Sequence, residues 1–340
     1  MKPLELLIPY SLPPKDVAKD LQAQLKAPHF ATLLGLTRVH QVFDQAEYTR
    51  AHVHEYFVCG DLKSELAGNK PETETLSRRS SPAMAHKLMR DYGILPTAGF
   101  WFLVRPVHLH VALDHLVLTE SADLALSDDE AKKLFALAKS ICDEFSRELL
   151  FGDANHWFLR ADDWQALTTS SLNAACGHNI DIWMAEGEHA REWRKIQNEI
   201  QMLWFSSELH QQRQELGLPE INSLWLSHGS ATLNPSIKSC QSYHPSTTTV
   251  AAMTAATNSL WLCNQLESAW LNADWYSWLN HFELLDQHLF GELQLALNSG
   301  QISALKLHLS RANFLSSHQI QAKSWWNFLR KPDLNVLTRF

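Results

Sequence analysis

Apolar positions along this chain follow two periods, and the first element already shows an irregularity. Leu4, Leu6, Leu7 and Ile8 surround a single acid, Glu5, ahead of Pro9, which reads as a short strand over 4–8 rather than a signal peptide. Pro13 and Pro14 open a helix that runs to Lys26, and Pro28 closes it. Helices are expected over 46–58 and 83–92, with the Gly-, Pro- and Ser-containing stretch 61–82 between them as a loop. Residues 99–104 and 115–119 read as buried strands. Ser127 followed by Asp128, Asp129 and Glu130 is a helix start, and the helical spacing of Leu134, Leu137, Ala138, Ile141, Cys142 and Phe145 carries that helix to 149. A strand over 156–160 precedes a long amphipathic helix over 190–215, whose stripe is Trp193, Ile196, Ile200, Leu203 and Trp204. Gly217 and Pro219 end it, and a strand follows over 223–226. Beyond the Ser- and Thr-rich segment 230–250 the pattern predicts helices over 254–268 and 275–298, a strand over 302–308 and a short helix ending at Trp325–Pro332. Strands alternating with helices, without an internal repeat, predict an α/β or α+β fold with a mixed sheet.

At 340 residues the chain is long enough for two compact units. A 45% apolar and 19% charged composition excludes a disordered or low-complexity chain. The formal net charge of −8 argues against a protein that lives on phosphate-backbone contacts, so nucleic acid is not an expected partner. No apolar run reaches the roughly 18 residues of a membrane span. Five cysteines without a CxxC spacing read as reduced thiols in a cytoplasmic protein.

Motifs for nucleophile elbows, phosphate loops, dinucleotides and HExxH zinc sites are all missing from the sequence. Three features carry candidate chemistry. His108 and His110, at i and i+2 on one strand face, suit either a transition metal or ordinary hydrogen bonds. Asn198 and Gln201 flank the apolar stripe of the long helix, where an amide fixes either a ligand or a neighbouring strand. The run from Pro219 to Ser230 passes from a helix exit through a strand containing Asn222 into a small-residue turn, a place where backbone N–H groups can approach an anion.

Arg105-Pro106-Val107-His108-Leu109, Asn198–Met202, Asn222–Leu226 and Phe328–Pro332 together resemble the RpfE-type bacterial regulatory proteins, a family often labelled cofactor-independent phosphoglycerate mutase. The family's Trp-Gly-Gly-Gly turn stands here as Ser227-His228-Gly229-Ser230. The order of elements over 100–227 is similar to the insert domain of archaeal-type mutases. In that likeness Arg105 and His156 fall where the domain carries arginines. The resemblance implies an alkaline-phosphatase-like core with two divalent metals and a hydroxyl nucleophile. Its motifs are eroded here. Pro9-Tyr10 stands for the metal-binding Asp-Gly, the carboxylate motif aligns with Glu267–Asp274 with Leu271 for its His, and Leu307-His308 stands for Asp-His.

The reading is therefore an α/β protein with a degenerate phosphatase-like core over 1–95 plus 236–340 and an inserted α+β lobe over 96–235. It is expected to be a non-catalytic regulatory or binding protein for a small anionic metabolite or a protein partner. The expected ligand-binding residues are Arg105, His108, His156, Asn198 and Asn222, without a cofactor. The alternatives are a phosphoryl-transfer enzyme, with manganese or another divalent metal on Glu267, Asp274 and His308, and a structural interaction module.

Overall fold

The computed structural model describes residues 3–62, 80–112, 115–119, 124–256, 259–321 and 331–339. The strands are β1 (Pro3–Ile8), β2 (Arg38–Asp44), β3 (Trp101–Val107), β4 (Leu109–Ala112), β5 (His115–Leu118), β6 (Leu149–Asp153), β7 (His156–Arg160), β8 (Ser223–Ser230), β9 (Cys240–Ser242), β10 (Leu260–Leu262), β11 (Ala304–Arg311) and β12 (Phe314–Gln321). In the first half of the chain the helices are α1 (Ala18–Gln24), α2 (Pro28–Gly35), α3 (Val53–Val58), α4 (Ala85–Asp91), α5 (Asp128–Glu144) and α6 (Leu172–Ala175). The second half adds α7 (Ala190–Phe205), α8 (Glu208–Glu215), α9 (Val250–Ala255), α10 (Glu267–Leu271), α11 (Trp275–Leu285), α12 (Gly291–Ser299) and α13 (Val336–Arg339). The described residues of Met1–Ala46, Tyr56–Glu72 and Lys238–Phe340 form one compact unit, and those of Glu47–Glu55 and Thr73–Ile237 a second.

The first unit is built on a sheet in the order β2-β12-β11-β1-β10-β9. β1 lies parallel between β10 and β11, β9 continues the parallel part, and β12 and β2 close the other edge antiparallel. Alternation puts Leu4, Leu6 and Ile8 of β1 and Leu305, Leu307 and Leu309 of β11 on one face, packed with Phe30, Trp278, Phe282, Leu289 and Phe290. Glu5, Lys306 and His308 point to the other face. A parallel sheet covered by helices buries its strands almost completely, which explains the apolar run of β1.

The second unit has an antiparallel sheet, β6-β7-β3-β8. Val104, Trp157, Leu224 and Leu226 pack against Leu134 of α5 and Trp193, Ile196, Ile200 and Trp204 of α7. On the opposite face Leu103 and Phe158 meet Ala85 and Met89 of α4. Ser127 caps α5 with a reciprocal box: its hydroxyl accepts from the Glu130 N–H while the Glu130 carboxylate accepts from the Ser127 N–H.

Several elements depart from the sequence pattern for local reasons. The helix expected over 190–215 is two helices, because extended Ser207 caps a new one and accepts from the His210 N–H. The one expected over 275–298 is interrupted by a π-helical segment, Asp286–Phe290. The extra residue turns buried Asp286 toward the start of α2, where its carboxylate accepts from the Phe30 N–H at 2.7 Å and the His29 N–H at 3.2 Å. The helix expected over 254–268 gives way to α9, β10 and α10. β5, expected to be buried, pairs with β4 in a small hairpin and makes single bridges from Val117 to Asn179 and from Leu118 to Cys176; Leu118 is buried, but Leu116 of β5 and Val111 of β4 are exposed. α4, assigned above to the core lobe, packs in the second unit. Most of the loop expected over 61–82, and the segment Trp325–Arg330 with its Phe328-Leu329-Arg330, lie outside the described residues.

Candidate functional site

The face of the first unit's sheet opposite Leu6 and Leu307 carries an unusual set of polar side chains on its central strands. The pairing register places His308 of β11 between Leu7 of β1 and Ser317 of β12, with Gln41 of β2 beyond. The next row is Glu5, Lys306 and Gln319. A lone acid in a buried parallel strand has to find partners, and Glu5 has two. Its Oε1 accepts from His308 Nε2 at 2.9 Å and from Lys238 Nζ at 3.0 Å. Chiefly the His308 bond, with help from Lys238 and against the cost of burial, holds the Glu5 carboxyl down at about 2.

Burial lowers the pKa of His308, so its ring is neutral at pH 7. An ionised carboxylate only accepts, so the ring proton sits on Nε2 and Nδ1 is left as an acceptor. Ser317 Oγ lies 2.6 Å from that Nδ1 and donates to it. The ring is held from its side by Phe57 of α3, at 4.5 Å between centroids, and Lys238 Nζ lies over the same phenyl ring at 4.2 Å. Carboxylate, imidazole and hydroxyl thus form a directed chain across β1, β11 and β12.

This chain borders a cavity of about 190 Å³, whose walls also include His40, Gln41, Lys306, His318 and Gln319. Glu5 is the only acid among the described lining residues, and its charge is met by Lys238. Lys306 makes no ion pair among the described residues and is the unmatched cation of the site. Of these groups the sequence reading named only His308. Glu5 was visible as a lone acid in an apolar strand. Ser317 and Lys238 carried no signal, because their roles depend on strand register.

The metal set of the alternative, enzymatic reading does not assemble among the described residues. Glu267 opens α10, and Asp274 is exposed and caps α11 by accepting from the Ser277 N–H at 3.0 Å. Leu307 faces the apolar core. At the end of β1, where the resemblance implies a metal-binding Asp, buried Tyr10 packs on Trp270 with centroids 5.0 Å apart. The Tyr10 carbonyl accepts from Trp278 Nε1 at 2.9 Å. One trio of metal-type ligands does converge among the described residues: Asp163, His189 and Glu192, in the second unit. Arg147 already bridges its carboxylates, bonding both Asp163 oxygens and Glu192 Oε1, so this cluster is a satisfied ion-pair network without an empty cation site.

The expected ligand-binding residues of the second unit divide. Arg105 and His156 lie on the α4 side of the sheet, by alternation with Val104 and Trp157, whereas Asn198 is exposed on α7 across the sheet. His156 Nδ1 lies 2.8 Å from Asp153 and 2.9 Å from the Tyr92 hydroxyl, which itself donates to Asp153 at 2.8 Å. Against the cost of burial, those bonds hold the Asp153 carboxyl well below its usual range. Asn222 is a structural clamp, accepting from the Leu109 N–H and donating to the Leu109 carbonyl, each at 2.8 Å. His108 stacks on His110, with centroids 5.6 Å apart, and burial lowers its pKa. The buried amide of α7 is Gln197, which donates to the Leu224 carbonyl at 2.6 Å, one position from the residue singled out in the sequence.

No family model and no curated protein matches the chain. Among solved structures it is similar to the PH0037 protein from Pyrococcus horikoshii, with 8% identity, a TM-score of 0.43, and coverage of 94% of this chain and 88% of that one. It is also similar to the cofactor-independent phosphoglycerate mutase from Thermoplasma acidophilum, with 9% identity, a TM-score of 0.41, and coverage of 95% and 91%. Likeness at this level carries no inference about site residues or activity. No helix among the described residues is long and apolar enough to cross a membrane.

Proposed function

We propose that this chain is a non-catalytic, regulatory binding protein for a small anion, and that the anion sits in the cavity beside Lys306 and His308 on the first unit's sheet. The observation that carries this reading is the unmatched Lys306 beside a carboxylate already neutralised by Lys238 and bonded to His308. Around it Gln41, Gln319 and His40 offer further polar groups to an oxyanion. The volume of about 190 Å³ limits the guest, because drug-sized ligands occupy roughly 300–1,000 Å³. Orthophosphate or a carboxylate of two or three carbons fits that space. The Ser317, His308 and Glu5 chain holds the cavity floor rigid.

Calorimetric titration with orthophosphate tests this. Lys306→Gln is expected to weaken binding at least about tenfold, a loss of about 1.4 kcal/mol. Lys15→Gln, on the segment before α1, is expected to leave binding unchanged. No heat of binding at millimolar phosphate, or equal affinity in Lys306→Gln, would sink the reading.

A further inference from the structure

We infer that Ser317 is an acyl acceptor, and that the anion taken by this pocket is a small acyl phosphate. The inference rests on the anion-binding reading above and names the ligand class for that site. Serine hydroxyls in mid-strand ordinarily bond to backbone or water. Here Ser317 Oγ is aimed at the unprotonated nitrogen of a neutral imidazole, whose other nitrogen is fixed by an ionised carboxylate. That order of carboxylate, imidazole and hydroxyl is what activates a hydroxyl nucleophile, and it is recognised by geometry and roles, not by sequence position. In this chain the hydroxyl meets Nδ1 and the carboxylate meets Nε2, the reverse of the serine-protease arrangement, with the same tautomer logic.

Position also favours reaction. Ser317 and His308 both line the cavity that holds Lys306, so an anion paired with that ammonium lies beside the hydroxyl. Orthophosphate offers no carbonyl to attack. An acyl phosphate offers both the dianion that the lysine attracts and an electrophilic carbon, and its two-carbon member suits about 190 Å³. Ser317 Oγ attacks the carbonyl carbon while its proton passes to His308 Nδ1. The tetrahedral adduct then collapses, breaking the bond from carbon to the bridging oxygen. Phosphate leaves and takes the proton from His308, so the products are an O-acyl serine and orthophosphate. Nothing is oxidised or reduced, and no further reactant is needed. The acyl group fills the cavity next to Lys306, so the modified protein would carry a record of acyl phosphate supply, in keeping with a regulatory role.

The test uses the full chain and two probes. Incubation with acetyl phosphate, followed by peptide mass mapping, is expected to place one acetyl group on Ser317. Hydroxylamine is expected to remove it, as it removes esters and spares amides. Ser317→Ala should abolish the label, and Glu5→Gln should slow it at least about tenfold, since positioned general bases contribute roughly 10²–10⁴. Methanesulfonyl fluoride is small and uncharged, so it reports the nucleophile without the anion site. It is expected to sulfonylate Ser317 in the wild-type protein and in Lys15→Gln alike, and to leave Ser317→Ala unlabelled. If the sulfonyl fluoride spares Ser317, the hydroxyl is only a cross-strand bond and the inference fails, while phosphate binding can still stand. Sulfonylation of Ser317 without acetylation overturns the acyl phosphate assignment. Acetyl groups found only on Lys238 or Lys306, resistant to hydroxylamine, overturn it as well.

Discussion

Removing the guanidinium of Arg213 should strongly destabilise the second unit. The side chain is 1% exposed. Its Nη1 donates to Glu130 Oε1 at 2.8 Å, its Nε to the Pro219 carbonyl at 2.9 Å, and its Nη2 to the Leu124 carbonyl. The same Glu130 supplies the capping box of α5 through its other oxygen, bonded to the Ser127 N–H at 2.9 Å. One cation therefore ties α8, the residue chain ahead of α5 and the start of α5 together. Breaking a buried ion pair from one side costs about 3–5 kcal/mol, because the partner charge is left behind. Arg213→Met keeps most of the volume but orphans Glu130 and two carbonyls. Since Glu130 is partly exposed and keeps its Ser127 bonds, a loss near the lower bound, ~3 kcal/mol, is expected. Urea unfolding followed by tryptophan fluorescence and far-ultraviolet dichroism measures it. Glu130→Met in the Arg213→Met background should cost less than it does alone, because the unpaired charge is gone. A loss below about 1 kcal/mol in Arg213→Met, with additive effects in the double variant, would refute the buried pair.

Stability should fall steeply as pH drops below 6.5. Burial holds His54 at about 3 and His228 and His318 at about 4, each from an ordinary 6.5. The unfolded chain binds these protons first, so stability is full above pH 6.5 and is lost on the way to pH 4, at up to ~1.4 kcal/mol per pH unit for each histidine. Glu5, held at about 2, adds a loss of the same sign below about 4.5. Equal urea midpoints at pH 7.5 and 5.0 would contradict this. Asp286→Ala should cost about 2–4 kcal/mol, since two N–H groups at the start of α2 lose their acceptor in a buried place. Calorimetric unfolding of that variant checks it, and an unchanged transition would mean that water replaces the carboxylate.

Parts of this fold were legible because the periodicity was clean. Trp193, Ile196, Ile200 and Trp204 recur at helical spacing and all are buried, and the strand over 156–160 was expected with its observed bounds. Ser127 capping was readable since the acceptor and its acidic first turn are adjacent in sequence. β12 was not readable: Ser317 finds its partner on β11, and Ser316 and His318 bond each other along the strand, so three consecutive buried polar residues mimic a loop. β10 is three residues long, too short for any period to register. The site failed for the same reason. His308 was named only through the resemblance, as the His of an eroded Asp-His motif, and its partners are Glu5, 303 positions away, and Ser317, while the neighbouring Lys238 enters from a segment that reads as a boundary. Asn198 flanks an apolar stripe and Asn222 stands in the strand before a small-residue turn, yet Asn222 is consumed by backbone bonds and Asn198 is exposed.

The placing of β1 has a consequence for how the chain is made. Leu6 is synthesised long before its strand neighbours, Trp261 on one side and Leu307 on the other. The first unit's sheet therefore cannot close until β11 and β12 have been synthesised. β3, β6, β7 and β8 all lie between residues 101 and 230, so the second unit's sheet has its strands available much earlier. During that interval Leu4, Leu6, Leu7 and Ile8 stay without their strands, a short apolar segment prone to pair with a neighbouring nascent chain. Pro3 and Pro9 flank it and Glu5 interrupts it, which are the features that blunt such pairing. The acid that anchors the finished site thus also guards the strand while it waits.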